Sequence, residues 1–233
     1  MDAFTAIGPD RNPTAALEFL KRSADLGYPP AETTMGYLYE TGNIVAQDPA
    51  QSVEWYKKAA KQNDHVGEWL LGRLYFTGSG TPRDLNQAAL VLQKSASQDD
   101  AFGEYLLGKV QVERNQYAQA ADWFRKAAMQ GLPQAQQELA ALLRDGKGVT
   151  ADKQEAFSWL LMSYDGGNQD VGSDLRALQN DLTNEQIDRA HARARELEPT
   201  TSRVVMARGC TGWNGEFNTI PVPPPPDIQR YCH

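Results

Sequence analysis

The chain has 233 residues, 41% of them hydrophobic, and a formal net charge of −7. That hydrophobic content is too high for a disordered chain, and no apolar run approaches the roughly 18 residues of a membrane span. The acidic balance gives a phosphate-binding role no electrostatic support, although it aids solubility and can steer a basic partner.

Residues 1–12 carry no periodicity and are expected to form an arm. The start, Met1-Asp2-Ala3-Phe4, has no basic region and no apolar signal core. It favours either a cytosolic protein or a mature chain whose signal has been removed. A first helix is expected from Asn12-Pro13-Thr14 through Ala16, Phe19, Leu20 and Ala24 to Gly27, with Pro suited to the first turn. A second carries Ala31, Met35, Leu38 and Tyr39 and stops at Gly42. Asp48-Pro49 opens a third helix, in which Ser52, Trp55, Tyr56, Ala59 and Ala60 fall on one face. Val66 to Thr77 follows and ends in Gly78-Ser79-Gly80, after which Asp84 caps the next unit.

These elements repeat. Phe19, Trp55 and Val91 stand 36 positions apart, Trp123 follows 32 later and Trp159 another 36. In step with them run Met35-Gly36-Tyr37-Leu38-Tyr39, Leu71-Gly72-Arg73-Leu74-Tyr75, Leu107-Gly108-Lys109-Val110 and Leu139-Ala140-Ala141-Leu142-Leu143. A period in the mid-thirties is the mark of a helical-hairpin solenoid. An aromatic beside small Ala residues gives a knob next to a hole, so stacked copies interdigitate. Gly36, Gly72 and Gly108 each cost about 1 kcal/mol against Ala inside a helix, so their recurrence points to a close backbone approach between the two helices of a unit. Ala140 at the same register shows that the requirement is smallness. The unit around Gly108 lacks the Gly-x-Gly connector and has Glu113-Arg114-Asn115-Gln116 instead, which predicts a longer helix and a tighter turn. Asp145-Gly146-Lys147-Gly148 restores the connector, and Gly42, Gly78 and Gly146 read as left-handed helix stops.

After Trp159 the repeat decays through Asp165-Gly166-Gly167-Asn168. A last helix is expected from Thr183, with Gln186 completing a capping box, an apolar stripe of Ile187, Ala190, Ala194 and Leu197, and Pro199 just beyond its end. It would close the exposed end of the array. The tail, residues 199–233, changes composition: Gly209, Gly212 and Gly215 suggest turns, and Pro221 to Pro226 is proline-rich. The two cysteines, Cys210 and Cys232, both lie there, and such a pair reads more easily as a disulfide than as a metal site. The bond would close a loop of about 22 residues, worth about 3 kcal/mol, and argues for an exported protein. The expected fold is all-α: a superhelical solenoid of about five hairpins over 13–198, a capping helix, and an irregular, disulfide-closed tail.

Leu71-Gly72-Arg73-Leu74-Tyr75-Phe76-Thr77-Gly78-Ser79-Gly80 and Trp123-Phe124-Arg125-Lys126-Ala127-Ala128-Met129-Gln130-Gly131 closely resemble the repeat of the Sel-one-like family, a relative of the tetratricopeptide solenoids. Leu182-Thr183-Asn184-Glu185-Gln186-Ile187 also looks like the cap that often follows such repeats. The resemblance covers residues 13–198 and implies an α/α superhelix that binds proteins or peptides, generally without catalysis. Some immunity proteins of secreted antibacterial effectors are built on such repeats. With the exported disulfide, this favours a periplasmic inhibitor of an effector such as a lipase, the alternative being a scaffold of an envelope or cytosolic complex.

Catalytic constellations are hard to assemble from this sequence. His65, His191 and His233 have no partner at metal spacing, and each reads as a surface residue. Gly78-Ser79-Gly80 lacks the third Gly and preceding strand of a nucleotide loop. Asp99-Asp100 reads as a solvated face, and the proline run as a strap over the array rather than a free polyproline ligand. Neither cofactor nor metal is expected, nor a nucleic-acid partner or a transmembrane segment. Relatives suggested to be hydrolases carry a cysteine pair in each repeat, which this chain lacks. In hairpins of this kind the Leu-Gly helix lines the concave side. Tyr37, Trp69, Arg73, Phe76, Phe102, Tyr105 and Lys109 are therefore expected to face a groove, as aromatic and Arg residues at a protein-binding hot spot do. On this reading Trp69→Ala costs binding but little stability.

Overall fold

A computed structural model describes residues 13–201. The expected arm at 1–12, the Cys210–Cys232 pair and the proline run lie outside the described residues. Within them the chain is all-helical. Helices α1 (Pro13–Asp25), α2 (Pro29–Thr41), α3 (Pro49–Lys61), α4 (His65–Thr77), α5 (Leu85–Ala96), α6 (Ala101–Glu113), α7 (Tyr117–Met129), α8 (Pro133–Asp145) and α9 (Lys153–Asp165) follow one another. A 3-10 turn at Gln169–Val171, α10 (Gly172–Asp181) and α11 (Asn184–Thr201) complete the array.

The helix limits follow from local chemistry. Asp48, Asp84 and Asp152 accept backbone N–H groups of the first turns of α3, α5 and α9, and Asp64 and Asp100 do the same for α4 and α6. Gly42, Gly78 and Gly146 end α2, α4 and α8 at φ of 71°, 80° and 64°, the left-handed stops the sequence predicts. The capping box also forms: Thr183 N–H donates to Gln186 Oε1 at 2.9 Å and Gln186 N–H to Thr183 Oγ1 at 3.3 Å. Pro199 lies inside the last turn of α11 rather than beyond it.

Each helix packs on the next, and α2, α4 and α6 also touch in succession. Contact between alternate helices identifies the Leu-Gly helices as the inner, concave layer of the superhelix. The core runs along the array as three clusters. Met35, Leu38 and Trp55 lie toward the N-terminal end, and Tyr56, Leu70, Leu74 and Leu92 in the middle. Phe124, Leu139, Phe157 and Trp159 lie beneath α11, whose Ala190 and Leu197 seal that end. Each such fully buried Leu or Phe contributes about 1.5–3 kcal/mol, so stability accumulates by neighbour contacts.

The inner glycines fit side chains rather than bare backbone. A Cβ on Gly36 would stand 2.6 Å from the Tyr56 ring, one on Gly72 2.5 Å from Leu92, and one on Gly108 2.5 Å from the Phe124 ring. A large residue of the following helix fills the place a methyl would take.

The unit around Gly108 differs from expectation. α6 has 13 residues, the same as α2, α4 and α8, so no longer helix forms. The turn alone absorbs the four missing positions, with Asn115 at φ 58° and Gln116 N–H donating to Gln111 O at 2.8 Å. Elsewhere the second connector glycine rests on an earlier outer helix: a Cβ on Gly80 would meet Pro49 O at 2.1 Å, and one on Gly148 Ala118 N at 2.3 Å. Here Arg114 makes the equivalent link, its Nη2 donating to Leu85 O at 3.0 Å and Asn86 Oδ1 at 2.7 Å. The sequence gives no sign of α10, which buries Leu178 beside Val171 of the preceding turn.

Candidate functional site

The seven residues expected at the groove all lie on α2, α4 or α6, but only some present themselves to it. Tyr37 is 1% exposed and Trp69 3% exposed, so their assignment to an open groove is corrected. The superhelix folds α4 onto α6, which brings the half-buried Phe102 ring onto Trp69 at 5.1 Å between centroids and 26° between planes. The pair closes the seam between two inner helices, so Trp69 is a packing residue and its loss must cost stability.

The remaining four, Arg73, Phe76, Tyr105 and Lys109, lie on the same two helices. Arg73 Nη2 reaches Glu40 Oε1 at 2.5 Å, linking α4 to α2, and Glu40 Oε2 accepts the Tyr56 hydroxyl at 2.9 Å. Burial, and then the Glu40 charge, push the Tyr56 phenol well above its ordinary value, so it stays a donor. Lys109 Nζ pairs with Glu138 Oε1 at 2.6 Å, linking α6 to α8, with both side chains about one-third exposed. Phe76 is partly buried, with the Arg83 guanidinium 5.6 Å from its ring centre. Tyr105 leans on Phe124 at 5.9 Å. The concave layer thus carries partly exposed aromatics among paired charges of both signs.

His65 and His191 are exposed, as the sequence predicts, and so is Asp99, but its neighbour departs from expectation. Asp100 is not on a solvated face. It is 9% exposed, caps α6 and pairs with His65 Nδ1 at 2.8 Å, which holds the imidazole pKa above its ordinary value. His191 meets the Phe157 ring edge-on at 6.0 Å. Among the described residues no group of three or more His, Cys, Asp or Glu is placed to hold a metal, and no helix is long and apolar enough to cross a membrane.

Sequence reasoning missed one set of polar residues on the inner helices. Glu32, Glu68 and Glu104 occupy the same register and are all buried. Their carboxyl oxygens accept from Gln62, Gln98 and Gln130, each at 2.8 Å. Their recurrence in step with the glycines was the signal available.

A family model described as the Sel1 repeat matches residues 4–28, 29–64, 65–100, 103–132 and 133–168. The chain belongs to the Sel1 repeat family. A solved Sel1 repeat protein from Oxalobacter formigenes shares 26% identity over 79% of this chain and 80% of that one, with a TM-score of 0.66. A protective antigen present in uropathogenic Escherichia coli strains, described as displaying an SLR fold, shares 25% identity. That likeness covers 89% of this chain and 53% of the other, with a TM-score of 0.51. No curated protein sequence matches. Sel1 repeat proteins are generally protein-interaction modules, and the repeats assign protein partners to this chain at that level.

Proposed function

We propose that the protein is a non-enzymatic binder whose concave face grips one protein, acting in the bacterial periplasm as an inhibitor of a secreted antibacterial effector such as a lipase. The observation that carries the binding reading is the inner layer itself. Phe76, Phe102 and Tyr105 stand among Arg73–Glu40 and Lys109–Glu138, a combination of aromatic area and fixed charge that suits a protein partner. The charge pairs tie neighbouring helices together, so they hold the surface in shape before a partner arrives, which lowers the cost of binding. Support for the inhibitor role comes from the family's use in immunity proteins and from the cysteine pair in the tail, which suits an oxidising compartment.

The test is co-purification from the secreted and envelope fractions of the source cells, with the parent chain beside a Phe76→Ala/Lys109→Glu variant of matched thermal stability. One stoichiometric secreted enzyme, inhibited by the parent and released by the variant, is the expected result. Capture of resident envelope machinery alone would replace the inhibitor with a scaffold. An inhibited enzyme held equally by the variant would move the contact off the concave face.

A further inference from the structure

Three carboxyl–carboxamide rungs recur along the array. Glu32 of α2 meets Gln62 just beyond α3, Glu68 of α4 meets Gln98 beyond α5, and Glu104 of α6 meets Gln130 beyond α7, each at 2.8 Å. Each rung ties the first turn of an inner helix to the end of the outer helix that follows, and so closes the base of one hairpin. The carboxyl-bearing residues are 3%, 0% and 3% exposed. Glu68 Oε1 is buried with no hydrogen-bond partner, a costly setting for an anion and a milder one for a neutral acid. At the fourth register position stands Gln136, 2% exposed. An uncharged side chain therefore fits where the three acids sit.

We propose that these rungs form a proton-sensitive brace whose buried carboxyls are held as neutral acids: ionisation strengthens the Gln N–H donation but leaves a buried charge that this bond does not offset, so the hairpins are held most firmly in mildly acidic surroundings.

The charged neighbours do not cancel the burial. Lys58 of α3 and Asp64 before α4 bear on Glu32; Lys94 of α5, with Asp64 and His65, bears on Glu68. Lys126 of α7, Asp99 and Asp100 bear on Glu104. Two of the three lysines are occupied elsewhere, the Lys58 ammonium lying 3.4 Å from the Trp55 ring centre and that of Lys126 4.1 Å from the Trp123 ring centre. Burial is the largest influence at every rung and outweighs the Gln N–H donation, which favours the ionised form, raising Glu32 and Glu68 and pushing Glu104 to about 7. Below the unfolded value of 4.5 the acids are protonated in both states and cost nothing. Between 4.5 and about 7 the unfolded chain releases a proton that folded Glu104 retains, so stability falls as pH rises across that window.

Urea unfolding of the full chain at pH 5 and pH 8, parent beside Glu32→Gln/Glu68→Gln/Glu104→Gln, tests this. The triple variant is expected to lower the unfolding constant at pH 8 by at least tenfold more than at pH 5. His65→Gln, which removes the imidazole paired with Asp100 near the Glu68 rung, should leave that difference in place. An equal change at both pH values, or a destabilised variant at pH 8, would overturn the proposal. Glu104→Gln alone serves if the triple variant does not fold. Carboxyl-carbon NMR of the parent gives an independent reading: Glu104 titrating near 7 supports the brace, and titration near 4.5 removes it.

Discussion

Replacing Trp69 by alanine removes an indole that is 3% exposed, stacked 5.1 Å from Phe102 and surrounded by the apolar residues of the middle of the array. Truncation of a buried Trp to Ala costs about 3–5 kcal/mol, and an aromatic pair contributes about 0.5–1.5 kcal/mol beyond its buried area. Phe102 is only partly buried and can swing toward the vacated space, so a loss near the lower bound, about 3 kcal/mol, is expected. Trp69→Phe keeps a ring against Phe102 and should lose roughly half as much. Urea unfolding followed by far-UV circular dichroism reads both variants, with the slope of the transition monitored because an α4–α6 seam opened in isolation would broaden it. A Trp69→Ala change below about 0.5 kcal/mol would refute the packing argument and return Trp69 to the groove.

Gly72→Ala places a Cβ 2.5 Å from Leu92, and the strain should destabilise the chain by about 1–3 kcal/mol in thermal or urea unfolding. Asp84→Ala strips the cap from α5, where its carboxylate accepts from Asn86 and Gln87, and should cost about 1 kcal/mol, with Asp84→Asn recovering most of it. The His65–Asp100 pair raises the imidazole pKa, so its contribution is full below the unfolded value of 6.5 and is lost as pH rises through the folded one. His65→Gln should flatten unfolding stability in that upper window, and an unchanged profile would remove the pair from the account.

Period, helix order and most helix ends were legible because they depend on local chemistry: capping Asp residues, left-handed glycines and the 36-residue spacing of Trp and Leu-Gly. The side of an inner helix that faces the groove was less so. Considered as one hairpin, α4 leaves Trp69 outside its own core, and only the curvature of the array delivers Phe102 to cover it. Tyr37 is buried on an inner helix that touches α4 in the same way. α10 was hidden because it contributes so little to the core, Leu178 being its one fully buried side chain. The buried acids were overlooked for a different reason: Glu at 32, 68 and 104 is ordinarily a surface residue, and its recurrence gains meaning only beside Gln62, Gln98 and Gln130.

The link made by Arg114 shows what this architecture conserves from unit to unit. Where Gly80 and Gly148 bring connector backbone onto an earlier outer helix, a single guanidinium reaches the Leu85 carbonyl at 3.0 Å from a turn four residues shorter. Unit length is therefore negotiable, provided that something spans the same gap. Arrays of this kind can drift in spacing through deletion without a frameshift in their stacking. A search for such units by strict periodicity will pass over members whose joints have been rebuilt from a side chain.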